Sequence, residues 1–109
     1  MAYPKRSFAE RFWSKVNKDG PTFRQELGPC WPWTGALDKD GYGRFDMRPE
    51  GGRSSEPAFR IAFEAEYGPL ELDMQPDHLC RYTLCVRPSH MEAVTAFENN
   101  SRAHRKVSM

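Results

Sequence analysis

The spacing of apolar residues predicts a helix near the start of the chain. Phe8, Phe12 and Val16 recur every four residues and form one apolar face. Ser7 opens a Ser-x-x-Glu pattern that is typical of a capping box, so the helix should begin directly after it. The polar run with Gly and Pro at 17–21 should end it. We expect this helix to pack rather than to carry chemistry.

The next part of the chain predicts a hairpin and a second helix. Two strands are expected at 30–36 and 42–47, around an Asp-Lys-Asp-Gly turn at 38–41. Pro57 suits the first turn of a helix, and an apolar helical face follows it. Gly68, which precedes a proline, should end that helix.

The last part predicts two short strands and a third helix. The segment 70–78 is extended but contains a proline, so any strand there is short or at an edge. The segment 79–90 has the composition of a loop, and 91–94 is apolar enough for a strand. A second capping-box pattern begins at Thr95, which would place Asn99 in the first turn of a helix.

Length and composition limit the class of protein. A chain of 109 residues suggests one domain with a thin core that needs extra fastening. No apolar run is long enough for a membrane span, and the N-terminus lacks the apolar stretch of a signal peptide, so we expect a cytoplasmic protein without a membrane partner. Three cysteines cannot all be paired in disulfides within the chain.

Charge is less informative than the cysteines. The net charge of +1 does not mark the chain as a nucleic-acid binder. The distribution is uneven, because every charged residue in 64–77 is acidic while Arg102, Arg105 and Lys106 meet no acid after Asn99. That basic tail is either a solvated terminus or a contact for an acidic partner.

Three cysteines and a histidine predict a zinc site. Cys80, Cys85 and His90 follow one another at five-residue steps, and Cys30 can supply a fourth ligand from the hairpin. Structural zinc takes four N or S ligands in a tetrahedron and would contribute on the order of 10 kcal/mol to folding. Two alternatives stay open: the cysteines are small buried hydrophobic residues, or His78 replaces His90 on the metal. Ligation by His90 is favoured because it leaves His78 free.

A second group of residues has the composition of a hydrolytic site. Asp77 and His78 end a predicted strand, and Asn99 lies 21 residues after His78 in a predicted helix. A neutral imidazole is the natural general base for water near pH 7. Carboxylate and carboxamide oxygens are hard ligands that suit magnesium or manganese better than zinc. A base, a hard metal and a basic helix together would hydrolyse a phosphodiester.

The order of these residues resembles the signature of HNH endonucleases. The matching segments are Asp-His-Leu-Cys at 77–80, Cys-Val-Arg-Pro-Ser-His-Met at 85–91 and Glu-Asn-Asn-Ser-Arg at 98–102. They look most like the zinc-bearing enzymes encoded by phages and the similar His-Cys box homing endonucleases. Further segments that resemble the phage proteins lie at 11–16, 30–35, 41–44 and 59–62.

The resemblance implies an α+β fold, a small zinc-stapled ββα-metal domain of the kind also called a His-Me finger. Its core would span about residues 72–106, and the N-terminal helix and hairpin at 7–47 would supply one zinc ligand within a single domain, 1–109. It also implies a metal-dependent endonuclease that cuts double-stranded DNA and leaves 5′-phosphate and 3′-hydroxyl ends.

The resemblance also implies roles for single residues. His78 would be the general base, Asn99 would hold magnesium or manganese against the scissile phosphate and the 3′ oxygen, and Asp77 would be an acidic ligand of that metal. From their predicted positions, and not from the resemblance, Arg102, three residues after Asn99 on the same helix face, and Arg44, on the hairpin, could bind DNA phosphates; a solvated or structural role is the alternative for each. The implied zinc ligands are Cys30, Cys80, Cys85 and His90.

The chain departs from the family pattern in two places. Many HNH enzymes have a second histidine four residues after the helix asparagine, but Ala103 stands there and His104 is one step away. The chain ends at Met109, so the second zinc site and exchanged tail of the dimeric His-Cys box enzymes are not expected, and monomer or homodimer is left open. The competing hypotheses are a non-catalytic zinc module that binds nucleic acid or protein, and a zinc-stapled structural protein.

Overall fold

The structure, a computed structural model, describes residues 7–47 and 55–99. These residues form a small α+β arrangement with two separate two-stranded antiparallel sheets, β1 with β2 and β3 with β4. In chain order the elements are α1 (Phe8–Trp13), β1 (Arg44–Asp46), β2 (Ser55–Pro57), α2 (Ala58–Tyr67), β3 (Met74–His78), a 3₁₀ turn (Pro88–His90) and β4 (Met91–Thr95). Residues 96–99 are again helical. No helix among these residues is long and apolar enough to cross a membrane.

The first helix begins where the sequence predicts but ends early. The hydroxyl of Ser7 accepts a hydrogen bond from the Glu10 amide, and the Glu10 carboxylate accepts one from the Ser7 amide, which confirms the capping box. The prediction that Val16 belongs to this helix was wrong. Val16 forms a bridge with Trp33 instead, since the backbone from 15 to 17 hydrogen-bonds to the segment 32–34.

The predicted hairpin is only partly present. The turn at 38–41 forms, with the Asp38 amide donating to the Tyr42 carbonyl over 2.8 Å and Gly41 at a φ of 85°. The segment 30–36 is not a regular strand, because Pro32 has no amide hydrogen to donate to a ladder. It makes isolated bridges instead, and the second arm continues as β1, which pairs with β2.

Aromatic rings and the buried face of α2 form the main core. The Phe12 ring lies 5.0 Å from the Trp33 ring and 5.3 Å from the Phe45 ring, measured between centroids. Gly43 lets the hairpin lie against Trp33, since a Cβ there would be 2.4 Å from an indole carbon. The buried members of this core are Phe12, Trp33, Phe45, Ala58, Ala62 and Val86.

The β3–β4 sheet and the following helical turn position the candidate site. The strands pair from Met74 opposite Thr95 to His78 opposite Met91. The loop between them returns to its start, because the Leu79 amide donates to the His90 carbonyl over 2.7 Å. The Thr95 hydroxyl accepts from the Glu98 amide, as the predicted helix start requires. Two strands followed by a helix is the order that the resemblance implies.

Candidate metal centre and active-site cleft

Four buried side chains converge beside the β3–β4 loop, and we call them the Cys₃His cluster: Cys30, Cys80, Cys85 and His90. Their ligand atoms all lie within 4.8 Å of one another. The Nδ1 atom of His90 is 3.6 Å from the sulfur of Cys30 and 3.6 Å from that of Cys85. A tetrahedral zinc ion with its usual bond lengths places sulfur and nitrogen ligands about 3.6 Å apart. The cluster therefore fits a zinc ion.

Backbone hydrogen bonds bring the distant Cys30 to the loop. Pro32 forms a bridge with Cys85, and the Val86 amide donates to the Trp31 carbonyl over 2.9 Å. On the other side of Cys30, the Gly20 amide donates to its carbonyl over 3.1 Å. The N-terminal half thus supplies one ligand, and the β3–β4 loop supplies three.

A carbonyl group orients the His90 ring. The Nε2 atom lies 2.7 Å from the Leu27 carbonyl oxygen, to which it can only donate, so Nδ1 carries the lone pair that faces the sulfurs. Histidines that bind zinc are commonly held in this way. Of the two predicted arrangements, the structure has His90 and not His78 beside the sulfurs.

The three thiols differ in pKa because of burial and of the hydrogen bonds among them. The hydrogen bond from Cys85 lowers the pKa of Cys80 to about 4. Burial raises the pKa of Cys30 to about 11, and the hydrogen bond to Cys80 raises the pKa of Cys85. Thiolate is the form that binds metal, so a cation in this position would displace the remaining thiol protons.

A cleft of about 450 Å³ lies beside the same loop. It brings together the three residues predicted to be catalytic, namely Asp77, His78 and Asn99. The remaining residues of the lining are Asp38, Tyr42, Pro57, Phe59, Gln75, Pro76, Arg81 and Thr83.

His78 is held in one orientation and is surrounded by aromatic rings. Its Nε2 atom lies 2.9 Å from the Cys85 carbonyl oxygen, so a neutral ring donates from Nε2 and keeps its lone pair on Nδ1. The Phe59 ring packs edge-on at 4.9 Å, and the Tyr42 ring lies 6.1 Å away. Burial lowers the pKa of His78 below 6.5. The imidazole is therefore neutral at pH 7 and can accept a proton.

Asp77 and Asn99, the two residues predicted to hold a hard metal ion, both line the cleft. Asp77 is 5% exposed, and its Oδ1 accepts a hydrogen bond from Arg81 over 3.1 Å. Asn99 is half-buried in the helical turn that follows β4. A carboxylate and a carboxamide oxygen fit a magnesium or manganese ion that keeps several waters. Within the described ranges, the Cys₃His cluster is the only group of three or more His, Cys, Asp or Glu that could hold a metal.

The two arginines predicted to bind phosphate lie elsewhere. Arg44 is on β1, where its guanidinium donates to the Ser55 carbonyl over 2.8 Å and to the Ser55 hydroxyl. It is not part of the cleft lining. Arg102 lies outside the described residues. The role of each in DNA binding stays a prediction.

Several residues of the cleft were not among the predicted site residues. Phe59 and Tyr42 approach His78 from α2 and from the hairpin turn, and neither is near His78 in sequence. Arg81 is only three residues from His78, but its place in the cleft depends on a left-handed backbone with a φ of 62°. Proximity to the Asp-His motif was the only available signal, and it applied to Arg81 alone.

Comparison with known proteins gives one family match. A family model described as HNH endonuclease matches residues 57–101, which is less than half of the chain. No curated protein and no solved structure matches significantly. The matched segment runs from the start of α2 past Asn99 and includes Asp77, His78 and three members of the Cys₃His cluster. The match supports the HNH endonuclease family, a family of nucleases, for this part of the chain.

Proposed function

We propose that the chain is a metal-dependent endonuclease that hydrolyses phosphodiester bonds in double-stranded DNA and leaves 5′-phosphate and 3′-hydroxyl ends. The observation that carries the proposal is the position of His78. Its ring is fixed through Nε2 on the Cys85 carbonyl, its Nδ1 has no hydrogen-bond partner among the described residues, and it lines a cleft together with Asp77 and Asn99. These three residues belong to the segment that matches the HNH endonucleases.

In this proposal His78 is the general base. Its Nδ1 takes a proton from a water molecule as the water oxygen attacks phosphorus, the bond from phosphorus to the 3′ oxygen breaks, and that oxygen takes a proton from solvent. The Cys85 carbonyl stabilises the resulting imidazolium through the Nε2 hydrogen bond. Asp77 and Asn99 would hold magnesium or manganese. The bound ion would supply positive charge against the phosphate and the leaving oxygen.

The Cys₃His cluster would hold a structural zinc ion. Four protein ligands leave zinc no open position for water or substrate, so this ion would fold the loop and not cut DNA. The cluster also acts on the cleft, because Cys85 supplies a ligand sulfur and the carbonyl that fixes His78. Three free thiols kept as metal ligands suit a reducing compartment, and we place the protein in the cytoplasm.

The finer assignments extend the same proposal. A Cys₃His cluster beside the Asp-His motif is the feature shared with the zinc-bearing phage enzymes and the His-Cys box homing enzymes, so these are the types to which we assign the chain. Arg102 would contact the DNA backbone from the helix. Arg44, which is held by Ser55 on β1, would contact it from outside the cleft.

The test is cleavage of supercoiled plasmid in magnesium or manganese by the parent and by His78→Ala. The parent should cut, and His78→Ala should lose roughly 10²–10⁴-fold in rate while it keeps one zinc per chain. His104→Ala is the matched histidine control and should cut like the parent. Equal cleavage by His78→Ala would overturn the assignment. A parent that binds DNA but does not cut would instead support the non-catalytic zinc module.

A further inference from the structure

We propose that Arg81 binds the DNA phosphate in the cleft and is a further catalytic residue of the endonuclease. This inference rests on the proposed function, since it names the group that receives the substrate at the same site. Arg81 lines the cleft together with His78 and Asn99.

The backbone turn after β3 brings Arg81 back over the site. The Arg81 amide donates to the His78 carbonyl over 3.3 Å, and Arg81 is the only residue other than glycine that has a positive φ among the described residues. This turn directs the side chain to Asp77, where Nη1 donates to Oδ1 over 3.1 Å. The guanidinium is therefore positioned beside Asp77, one of the two residues that would hold the catalytic metal.

The ion pair is asymmetric in a way that favours an anionic ligand. The Asp77 side chain is 6% exposed, whereas the Arg81 side chain is 37% exposed. The carboxylate is therefore buried, whereas the guanidinium remains partly accessible to solvent and to a ligand. A guanidinium has five N–H donors in a planar fork, and only Nη1 is engaged by another side chain in the described part of the chain. The fork matches the oxygens of a phosphate.

The charge of the cleft favours such a cation. Within the described ranges, Arg81 is the only Lys or Arg that lines it, while Asp38 and Asp77 contribute two carboxylates. Arg44, by contrast, is bound to Ser55 outside the cleft. Without Arg81 these carboxylates would repel a phosphodiester until a metal ion bound.

The alternative is that Arg81 only positions Asp77. The two roles separate in the Asp77→Asn background. A residue that acts through Asp77 has no further effect once that carboxylate is gone, whereas a phosphate ligand keeps its effect on DNA binding. Arg60→Gln is the matched control. Arg60 also forms an i,i+4 ion pair, with Glu64 at 3.5 Å, and its side chain is about as exposed as that of Arg81. Arg60 does not line the cleft.

The first arm of the experiment measures binding without cleavage. A short DNA duplex is titrated with zinc-loaded His78→Ala protein at several salt concentrations, without added magnesium or manganese and without chelator. Arg81→Gln should reduce the slope of log affinity against log salt by about 0.9, the value for one phosphate contact. Arg60→Gln should leave the slope unchanged, and Arg81→Lys should restore most of it. The loss should persist in the Asp77→Asn background. A slope that Arg81→Gln does not change, or a loss that disappears with Asp77→Asn, would overturn the inference.

The second arm measures cleavage with His78 intact. Arg81→Gln should lower kcat/KM roughly 10²–10³-fold, as expected for a lost donor to the charge that develops on the transition state. Zinc content should match the parent, which shows that the variant is folded. If the parent cuts and Arg81→Gln cuts equally well, only the Arg81 inference fails. If the parent does not cut, the proposed function fails, and the binding arm still decides whether Arg81 holds a phosphate.

Discussion

The Cys₃His cluster and the cleft share the loop from His78 to His90, but they differ in burial and in chemistry. The cluster consists of three thiols and an imidazole, all buried, and its ligand atoms lie within 4.8 Å of one another. The cleft is open to solvent and contains hard oxygens and, among the described residues, one imidazole and one guanidinium. A closed site of four ligands suits folding, and an open site with few protein ligands leaves room for water and phosphate.

The two regions are connected at one residue. The sulfur of Cys85 belongs to the cluster, and the carbonyl of Cys85 accepts the hydrogen bond that orients His78. Damage to the cluster should therefore destroy both folding and cleavage, while damage to the cleft should affect cleavage alone. The predictions below test this one-way dependence.

The largest effect is expected from Cys85→Ser. Loss of a ligand should release the zinc, whose binding supplies on the order of 10 kcal/mol to folding in small zinc domains. This is comparable with the whole stability of a domain of this size, roughly 5–15 kcal/mol, so the variant should be unfolded. Metal analysis and circular dichroism check it, with the volume-conserving core variant Met91→Leu as control. A folded Cys85→Ser protein that still holds one zinc would contradict the dependence of the fold on the Cys₃His cluster.

Asn99→Ala should separate activity from folding. Asn99 is proposed to hold the catalytic metal, so its loss should lower the cleavage rate by about 10²-fold or more, because such a metal supplies several kcal/mol of transition-state stabilisation. Zinc content and the urea midpoint should stay close to those of the parent. Asn17→Ala, which lies away from the cleft lining, should cut normally. Parent-like cleavage by Asn99→Ala would remove this residue from the proposed site.

The pH dependence of cleavage should report the surroundings of His78. Burial lowers the pKa of His78 below 6.5, and only the neutral ring can accept a proton. The rate should therefore reach its plateau at higher pH and fall to half of it at a pH below 6.5, as the ring becomes protonated.

Phe59→Ala should sharpen this result. Removing the ring that packs at 4.9 Å admits water and moves the acid midpoint up toward 6.5. Phe63→Ala is the matched control, because Phe63 is also on α2 but packs on Tyr67 and does not line the cleft. Its midpoint should equal that of the parent, provided that zinc content is constant over the pH range. Equal midpoints in all three proteins would show that Phe59 does not set the pKa.

Ser7→Ala should have the smallest effect. It removes the hydroxyl that caps α1, which costs about 1 kcal/mol of folding free energy at a typical helix start. Urea unfolding should show the lower stability with an unchanged m-value, and cleavage at 25 °C should be unaffected. A loss of cleavage with full zinc content would mean that α1 is coupled to the cleft in a way that the fold does not explain.

Local signals allowed much of this fold to be predicted. Capping patterns at Ser7 and Thr95 predicted the starts of α1 and of the helical turn at 96–99, and the composition of 38–41 predicted the hairpin turn. The predicted length of α1 was wrong, because residues 15–17 pair with 32–34 in a tertiary interaction that the spacing of apolar residues does not indicate. The pairing of β1 with β2 was missed for the same reason.

The candidate site, too, could be predicted from the sequence only in part. The five-residue spacing predicted Cys80, Cys85 and His90 as three members of the Cys₃His cluster, and Cys30, 50 residues before Cys80, was the remaining cysteine that could supply the fourth. The aromatic walls around His78 and the position of Arg81 depend on the packing of α2 and on one left-handed residue. The aromatic walls follow from the assembled structure and no motif indicates them, whereas for Arg81 the only signal was its proximity to the Asp-His motif.

The separation of a structural zinc from a catalytic metal is tested by the metal dependence of cleavage. Zinc-loaded protein, dialysed free of other divalent ions, should contain one zinc per chain and should not cut plasmid. Adding magnesium or manganese should start cleavage while the zinc content remains at one per chain. Full cleavage by the zinc-loaded protein alone, with no stimulation by the added ion, would contradict the separation of a folding metal from a catalytic one.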